Sequence, residues 1–328
     1  MTPNMIQEFL TTNQSEVEAG LSGLVSANDP ARLYDPVRHV LNSKGKRFRP
    51  QLVLCAADAF AGNRQAALQV ALGMEVFHIF TLVHDDIMDE ADSRRGRPTI
   101  HVKWDNPTAI LAGDYLLGKA SELVASLPDT SLRDGLKVFN DAVRILCEGQ
   151  IRDMEFELRA DVTLDEYLLM IDQKTSALLQ ASLKLGAMTG NPTSDDLVRL
   201  NQIGRHLGQA FQIQDDLLDL TADSENWGKP IGGDLISGKK AFLLLEALRL
   251  ERQSGKGYFH GVQERGGIDE DEVDSARNRM REMGVLETAK RSVIFHSEQA
   301  LAELSHLPDG FGRHALSALT QKMAARVY

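Results

Sequence analysis

Cysteine is scarce in this chain and basic residues are outnumbered by acidic ones, and each shortfall removes a class of protein. Two cysteines, Cys55 and Cys147, in 328 residues cannot build a disulfide framework. The N-terminal stretch shows no basic segment followed by an apolar run, so a reducing, cytoplasmic setting is expected. Lys and Arg number 36 against 47 Asp and Glu, a formal net charge of −11. Such a chain has no global field to attract nucleic acid or an anionic leaflet, so no nucleic-acid partner is expected and any anion site has to be local. Also missing are a Ser/His/Asp set, a P-loop and a Gly-rich dinucleotide fingerprint. No Gly/Ser-rich or low-complexity linker interrupts the sequence, so residues 1–328 read as one domain. One apolar stretch, Ala66 to His84, approaches the length of a membrane span. Gln69, Glu75 and His78 interrupt it and are costly in hydrocarbon, so it reads as a buried helix and no stable membrane insertion is expected.

Strand-like alternation is absent too, and helical periodicity stands in its place. The ten prolines leave long proline-free stretches between 128 and 192 and between 230 and 308. Within these, apolar residues recur at three- and four-residue spacing, as in Leu164, Leu168, Ile171 and in Leu243, Leu244, Ala247, Leu248, which is the helical period. Capping residues mark several starts: Asp29 before Pro30, Thr163 before Leu164, and Ser194 ahead of Asp195 and Asp196. The expected fold is all-α, with ten or more helices.

Two aspartate trios stand on this framework, Asp85, Asp86 and Asp89 in LVHDDIMD and Asp215, Asp216 and Asp219 in QIQDDLLD. A helix advances about 100° per residue, so the outer two carboxylates of each trio lie about 40° apart and the second about 100° from the first. Three like charges on one face of an apolar helix repel strongly, unless a divalent cation lies among them. All-oxygen ligation suits Mg²⁺, which usually takes its remaining ligands from water and substrate phosphates. Neither trio has the Cys or His content of a zinc site.

Metal-bound phosphate also needs cationic side chains, with Arg supplying a fork and Lys a point charge. Three basic clusters are available: Lys44, Lys46, Arg47 and Arg49 in KGKRFRP; Arg94, Arg95 and Arg97 in RRGRP; and Lys229, Lys239 and Lys240 in GKPIGGDLISGKK. Two of them follow an aspartate trio within about a dozen residues. Lys174, in the polar QKT interruption of an apolar stretch, is a candidate of the same kind. Gln212 falls between Asp215 and Asp216 around the helix, and His78 lies one heptad before Asp85.

Taken together and in this order, these motifs resemble those of the trans-prenyltransferases, the all-α isoprenyl diphosphate synthases. KGKRFRP is similar to their GGKRxRP, with Ser43-Lys44-Gly45 where a Gly-Gly pair is common. HDDIMDEADSRRG is similar to the first aspartate-rich motif and its Arg pair, FQIQDDLLD to the second, and GKPIGGDLISGKK to the lysine loop. The resemblance spans at least residues 45 to 240. It implies a single helical bundle of isoprenoid synthase type around a central cavity, a homodimer, and three Mg²⁺ held by both trios. It implies head-to-tail condensation of isopentenyl diphosphate with an allylic diphosphate. Lys46, Arg49, His78 and Arg95 would hold the isopentenyl diphosphate. Arg94, Lys174, Lys229 and Lys239 would hold the allylic one, with Thr175, Gln212 and Asp234 lining the site; Lys174 and Lys229 are also expected to act in catalysis beside the six aspartates. In the family, bulk four or five residues before the first aspartate limits the product, here Thr81 and Phe80. A Phe at the fifth position and no insertion in DDIMD favour geranylgeranyl diphosphate over farnesyl or longer products, although Phe80 falls off the Asp85/Asp89 stripe.

Other classes explain less. Glu75-x-x-His78 and Glu303-x-x-His306 match the pair used by di-iron bundles, but leave both trios unused. A metal phosphohydrolase built on His84 and Asp85 leaves 212–240 unexplained. Class I terpene cyclases lack the second DDxxD and the first basic cluster, and non-catalytic synthase subunits typically lose aspartates that are intact here.

Overall fold

The computed structural model describes residues 2–222, 231–255 and 257–324. Helices dominate, and the chain divides into two compact units: Met1–Ala142 with Leu178–Asn201 and Leu304–Ala318, and Val143–Ala177 with Gln202–Glu303 and Leu319–Tyr328.

The first unit begins with α1 (Pro3–Gly23), α2 (Ala31–Leu41), α3 (Phe48–Ala59) and α4 (Arg64–Met88). The stretch read as a buried helix is α4, which is long and apolar enough to cross a membrane but mostly buried within the protein. Asn63 starts it by accepting the Ala66 N–H at 2.9 Å, and Glu90, in the left-handed region (φ 49°), turns the chain away beyond its end. Its main partner is α6 (Asn106–Val124), whose contact face is small: Ala109, Ala112, Gly113 and Ala120. Opposite them, a Cβ on Gly73 would stand 3.0 Å from the Ala120 carbonyl. The two backbones approach closely here, with Leu123 and Val124 of α6 packed against the same glycine. Between α4 and α6 lie a hairpin of β1 (Ser93–Arg94) and β2 (Arg97–Pro98) and one turn, α5 (Ile100–Lys103). Positive φ at both Arg95 (54°) and Gly96 (73°) is the mark of the two-residue turn that matches strand twist. This pair of two-residue strands is the only sheet among the described residues.

The proline-free stretch from 128 to 192 becomes α7 (Asp129–Leu158), α8 (Leu164–Ile171), a π-helical turn (Asp172–Ser176) and α9 (Ala177–Ala187), and α10 (Ser194–Thr221) follows Pro192. In the second unit, α11 (Gly233–Ile236), α12 (Phe242–Ser254), α13 (Tyr258–Arg265), a 3₁₀ turn (Glu270–Glu272) and α14 (Val273–Glu282) precede α15 (Val285–Leu304), and α16 (Phe311–Ala324) ends the described chain. Thr163 caps α8 as expected, in a reciprocal box with Glu166. Two expected caps differ. α10 is capped one residue earlier, by Thr193, which exchanges hydrogen bonds with Asp196. α2 starts after Pro30 with no side-chain cap.

The core of the first unit is tightest at α3, where Leu52 to Ala57 are all buried. A Cβ on Gly186 of α9 would lie 2.2 Å from the Val53 carbonyl oxygen, a backbone atom that cannot swing aside. Gly186→Ala is therefore expected to destabilise the protein by about 1–3 kcal/mol through overpacking, read as a lower urea midpoint with unchanged m-value.

Candidate active site

The first unit gathers the first trio and two basic clusters. Along α4 the three aspartates differ: Asp85 is half-buried, Asp89 is exposed, and Asp86 is buried at 6% exposure. The buried carboxylate accepts a hydrogen bond from Arg94 Nε at 2.6 Å. Burial pushes the Asp86 pKa up, against the pull of Arg94. The left-handed turn at Arg95 sends that side chain to the other basic cluster, where its Nη1 donates to the Lys44 carbonyl at 2.6 Å. The approach needs a glycine, since a Cβ on Gly45 would stand 2.7 Å from Arg95 Nη1. Arg49 lies beside them with a buried Nε that has no hydrogen-bond partner. Its burial pulls its pKa down to about 10. His78 is half-buried; burial first, then the fields of Arg49, Arg95, Arg94 and Arg47, hold its pKa well below the ordinary value, so it is neutral at pH 7. Lys46 is exposed. An apolar-floored cleft of about 460 Å³ is lined by Ile79, Leu82, Val83 and Asp86 of α4 and by Arg94, Arg95 and Arg97. Phe80 is buried beside it in sequence, its ring 4.7 Å from that of His84 and 6.0 Å from that of Phe77. The aromatic stripe explains why Phe80 leaves the Asp85/Asp89 face: it belongs to the adjacent one. Thr81 is buried and donates its hydroxyl proton to the His78 carbonyl at 2.8 Å.

The second unit repeats the pattern. Asp215 is exposed and Asp219 half-buried, while Asp216 is buried at 6% exposure. Asp216 accepts from the Tyr167 hydroxyl, from the Phe242 N–H at 2.9 Å and from Gln212 Nε2 at 3.1 Å. Burial, then the charge of Asp234, push its pKa up to about 7 despite these donors. Gln212 also accepts from Thr175 Oγ1 at 3.1 Å. Lys174, in the π-helical turn, reaches Asp153 Oδ2 at 2.5 Å. Asp219 ties down the next loop, accepting the Asp234 N–H at 3.1 Å on its side chain and the Gly232 N–H at 2.7 Å on its carbonyl. Lys239 N–H in turn donates to the Asp234 carbonyl at 2.8 Å. Asp216, Asp219, Asp234 and Lys239 thus line a second cleft, of about 230 Å³. Lys229 lies outside the described residues.

The polyprenyl synthetase family profile matches residues 30–280. Among curated relatives, a short chain isoprenyl diphosphate synthase of Methanothermobacter thermautotrophicus is 38% identical, covering 92% of this chain and 93% of its own. A geranylgeranyl diphosphate synthase of Methanosarcina mazei is 36% identical, covering 97% of each. The crystal structure of a geranylgeranyl pyrophosphate synthetase from Pyrococcus horikoshii superposes with a TM-score of 0.90 at 34% identity over 98% of both chains. The chain belongs to the polyprenyl synthetase family. It is a trans-prenyltransferase with the all-α isoprenoid synthase fold.

In this prenyltransferase some predicted cations serve the fold. Arg47 of the first basic cluster is 2% exposed and turned inward. It donates to Glu18 and Glu75, each at 2.8 Å, and to the Ser43 carbonyl at 2.5 Å. This occupies Glu75, which the di-iron reading required. His84, the residue of the phosphohydrolase reading, faces α6, its Nε2 3.3 Å from the Ile110 carbonyl. Arg97 holds His39, and Lys240 donates to the Glu157 carbonyl. Sequence reasoning missed Asp153, which sits in an acidic stretch with no local mark, and Tyr167, which reads as one more apolar position of α8.

The donor chemistry fits Mg²⁺: every candidate ligand is a carboxylate oxygen, and the outer pair of each trio is accessible. Among the described residues no three His, Cys, Asp or Glu side chains are gathered into a ready metal site.

Two outcomes follow. Arg47→Met leaves Glu75 buried without its cation and is expected to cost about 3–5 kcal/mol, measured by urea denaturation, whereas Lys46→Met is expected to leave stability near wild type. For Asp216, the metal-free folded state retains a proton that the unfolded chain releases near its ordinary value. Its stabilising effect is therefore full below the unfolded pKa and is lost as pH rises through about 7. In EDTA, the melting temperature of Asp216→Asn relative to wild type is expected to rise between pH 5 and pH 8; a flat difference contradicts the assignment.

Proposed function

We infer that this protein catalyses Mg²⁺-dependent head-to-tail condensation of isopentenyl diphosphate with allylic diphosphates, ending at geranylgeranyl diphosphate. The observation that carries the reading is the junction at Gly45, where Arg95 reaches the Lys44 carbonyl and joins the first basic cluster to the Arg pair beside the first trio. Sites with this donor composition suit a substrate that is anionic at one end and apolar at the other. Bound Mg²⁺, three ions by the family resemblance, would neutralise the charge that develops on the departing diphosphate. The accessible aspartates Asp85, Asp89, Asp215 and Asp219 would hold it, while buried Asp86 and Asp216 brace their surroundings.

Lys46, Arg49, His78 and Arg95 take the diphosphate of isopentenyl diphosphate. The unpartnered Arg49 Nε and the neutral His78 ring supply directional donors where a further charge would crowd the arginines. Arg94, Lys174, Lys229 and Lys239 take the allylic diphosphate, and Thr175, Gln212 and Asp234 line the site. These cations stabilise charge that grows as the allylic C–O bond breaks, so they favour the transition state over the ground state. The alkene of isopentenyl diphosphate then attacks the allylic carbon, and the released diphosphate accepts the proton lost from the condensation product.

The M. mazei and P. horikoshii relatives support the twenty-carbon product, and so does the bulk of Phe80 ahead of the first trio. Family profile and relatives span both units, which supports reading 1–328 as one catalytic domain. Ile110 and Leu111, exposed on α6, support a homodimer that would cover them, and nothing in the acidic chain opposes a cytoplasmic location.

Incubation of the protein with Mg²⁺, labelled isopentenyl diphosphate and each allylic primer, followed by chromatography, is expected to give geranylgeranyl diphosphate from farnesyl diphosphate. Accumulation of fifteen-carbon or much longer chains overturns the product assignment, and no elongation from any primer overturns the reaction. Phe80→Ala is expected to lengthen the product by at least one five-carbon unit.

A further inference from the structure

We propose that Tyr167 is a positioning residue for the reaction, fixing through Asp216 and Gln212 the direction in which the Thr175 hydroxyl points its proton. The four side chains form one continuous hydrogen-bonded line. The Tyr167 hydroxyl and the Phe242 N–H both donate to Asp216 Oδ2, Gln212 Nε2 donates to Asp216 Oδ1 at 3.1 Å, and Thr175 Oγ1 donates to Gln212 Oε1 at 3.1 Å.

The polarity of this line is not free. In this line the Gln212 amide turns its NH₂ toward Asp216 Oδ1, which accepts, and its oxygen toward the Thr175 hydroxyl, which donates. A threonine hydroxyl has a single proton, and here it is committed to that oxygen. Beyond the line, Thr175 therefore offers lone pairs and no donor. An acceptor of this kind disfavours a diphosphate oxygen and favours the carbon end of an allylic substrate, where positive charge develops.

Tyr167 is the anchor because its hydroxyl donates to Asp216 Oδ2 from a side chain that is 2% exposed, with its ring 6.3 Å from that of Phe242. Packing alone would be served by Phe. Without the hydroxyl, Asp216 Oδ2 keeps only the Phe242 N–H, and the carboxylate can rotate away from Gln212. The far end of the line is held by backbone contacts. Thr175 lies in the π-helical turn Asp172–Ser176, which two glycines on neighbouring helices clasp: a Cβ on Gly149 would stand 2.5 Å from the Lys174 nitrogen, and one on Gly208 2.2 Å from Ser176 Oγ. The turn cannot follow a displaced Gln212, so a slackened line breaks at the Thr175 hydroxyl.

The test is a double-mutant cycle on kcat with farnesyl and isopentenyl diphosphates, at a temperature where circular dichroism shows each variant folded. Tyr167→Phe and Thr175→Val are each expected to lower kcat about 10-fold with KM for isopentenyl diphosphate nearly unchanged, and the double variant to lose about 10- to 20-fold. Thr175→Ser, which keeps the hydroxyl, is expected to stay within about threefold of wild type. Additive losses near 100-fold in the double variant, or full activity in Thr175→Val, overturn the proposal. If Tyr167→Phe does not fold, Gln212→Met takes its place in the cycle with the same expectations. The proposal rests on the prenyl-transfer reading above. Wild-type protein that elongates no primer overturns that reading and the proposal together, whereas elongation with an additive cycle overturns the proposal alone.

Discussion

Burying one aspartate of each trio is the constraint around which both candidate sites are organised. A carboxylate removed from water must be matched by donors, and helices α4 and α10 bury one at the middle position of D-D-x-x-D because the outer two take the accessible face. The donors come from elsewhere in the chain. Asp86 draws Arg94, and with it the hairpin whose left-handed turn delivers Arg95 to the Lys44 carbonyl. Asp216 draws the Phe242 N–H, which sets the start of α12, and Gln212, which reaches the π-helical turn. The buried acids thus define where the surrounding cations and hydroxyls stand.

Such positioning needs backbones that come close, and small residues provide for this. Gly73 beside α6 and Gly45 beneath Arg95 leave room that a methyl group would fill, as do Gly149 and Gly208 around the π-helical turn. A π-helical turn inserts one residue into the helical register and re-aims what it carries, a device frequent at functional sites. Here it re-aims Lys174 and Thr175, separating them from the apolar period of α8 and α9 that flanks them.

Much of this was legible in the sequence, because helical periodicity and the D-D-x-x-D arithmetic depend only on neighbours in the chain. The apolar repeats of 164–171 and 243–248 are helices, Thr163 caps α8, and the Lys44–Arg49 and Arg94–Arg95 clusters do meet around His78. What was not legible depends on distant partners. Arg47 is indistinguishable in sequence from Lys46 and Arg49, yet Glu18 and Glu75 draw it inward. Phe80 looked misplaced because the stripe was measured from the aspartates, while its ring follows Phe77 and His84. The cap of α10 moved from Ser194 to Thr193 because Asp196 reaches Thr193 in a reciprocal box, and either hydroxyl satisfies the capping pattern on paper. Asp153 and Tyr167 carry no local mark at all; only the fold reveals that one faces Lys174 and the other Asp216.

The two trios share a spacing but not an electrostatic solution, and the difference bears on what each requires. Asp86 is met by the full charge of Arg94, which offsets its burial in part. Asp216 is met by three neutral donors, and burial, then the like charge of Asp234, outweigh them and push its pKa up to about 7. Neutral hydrogen bonds lower the cost of a buried charge without cancelling it. The second trio therefore rests its buried carboxyl on neutral donors, where the first rests it on an arginine. The −11 formal charge of the chain is consistent with this: acidity concentrated at the trios is a binding capacity for cations, through which an acidic protein can hold an anionic substrate.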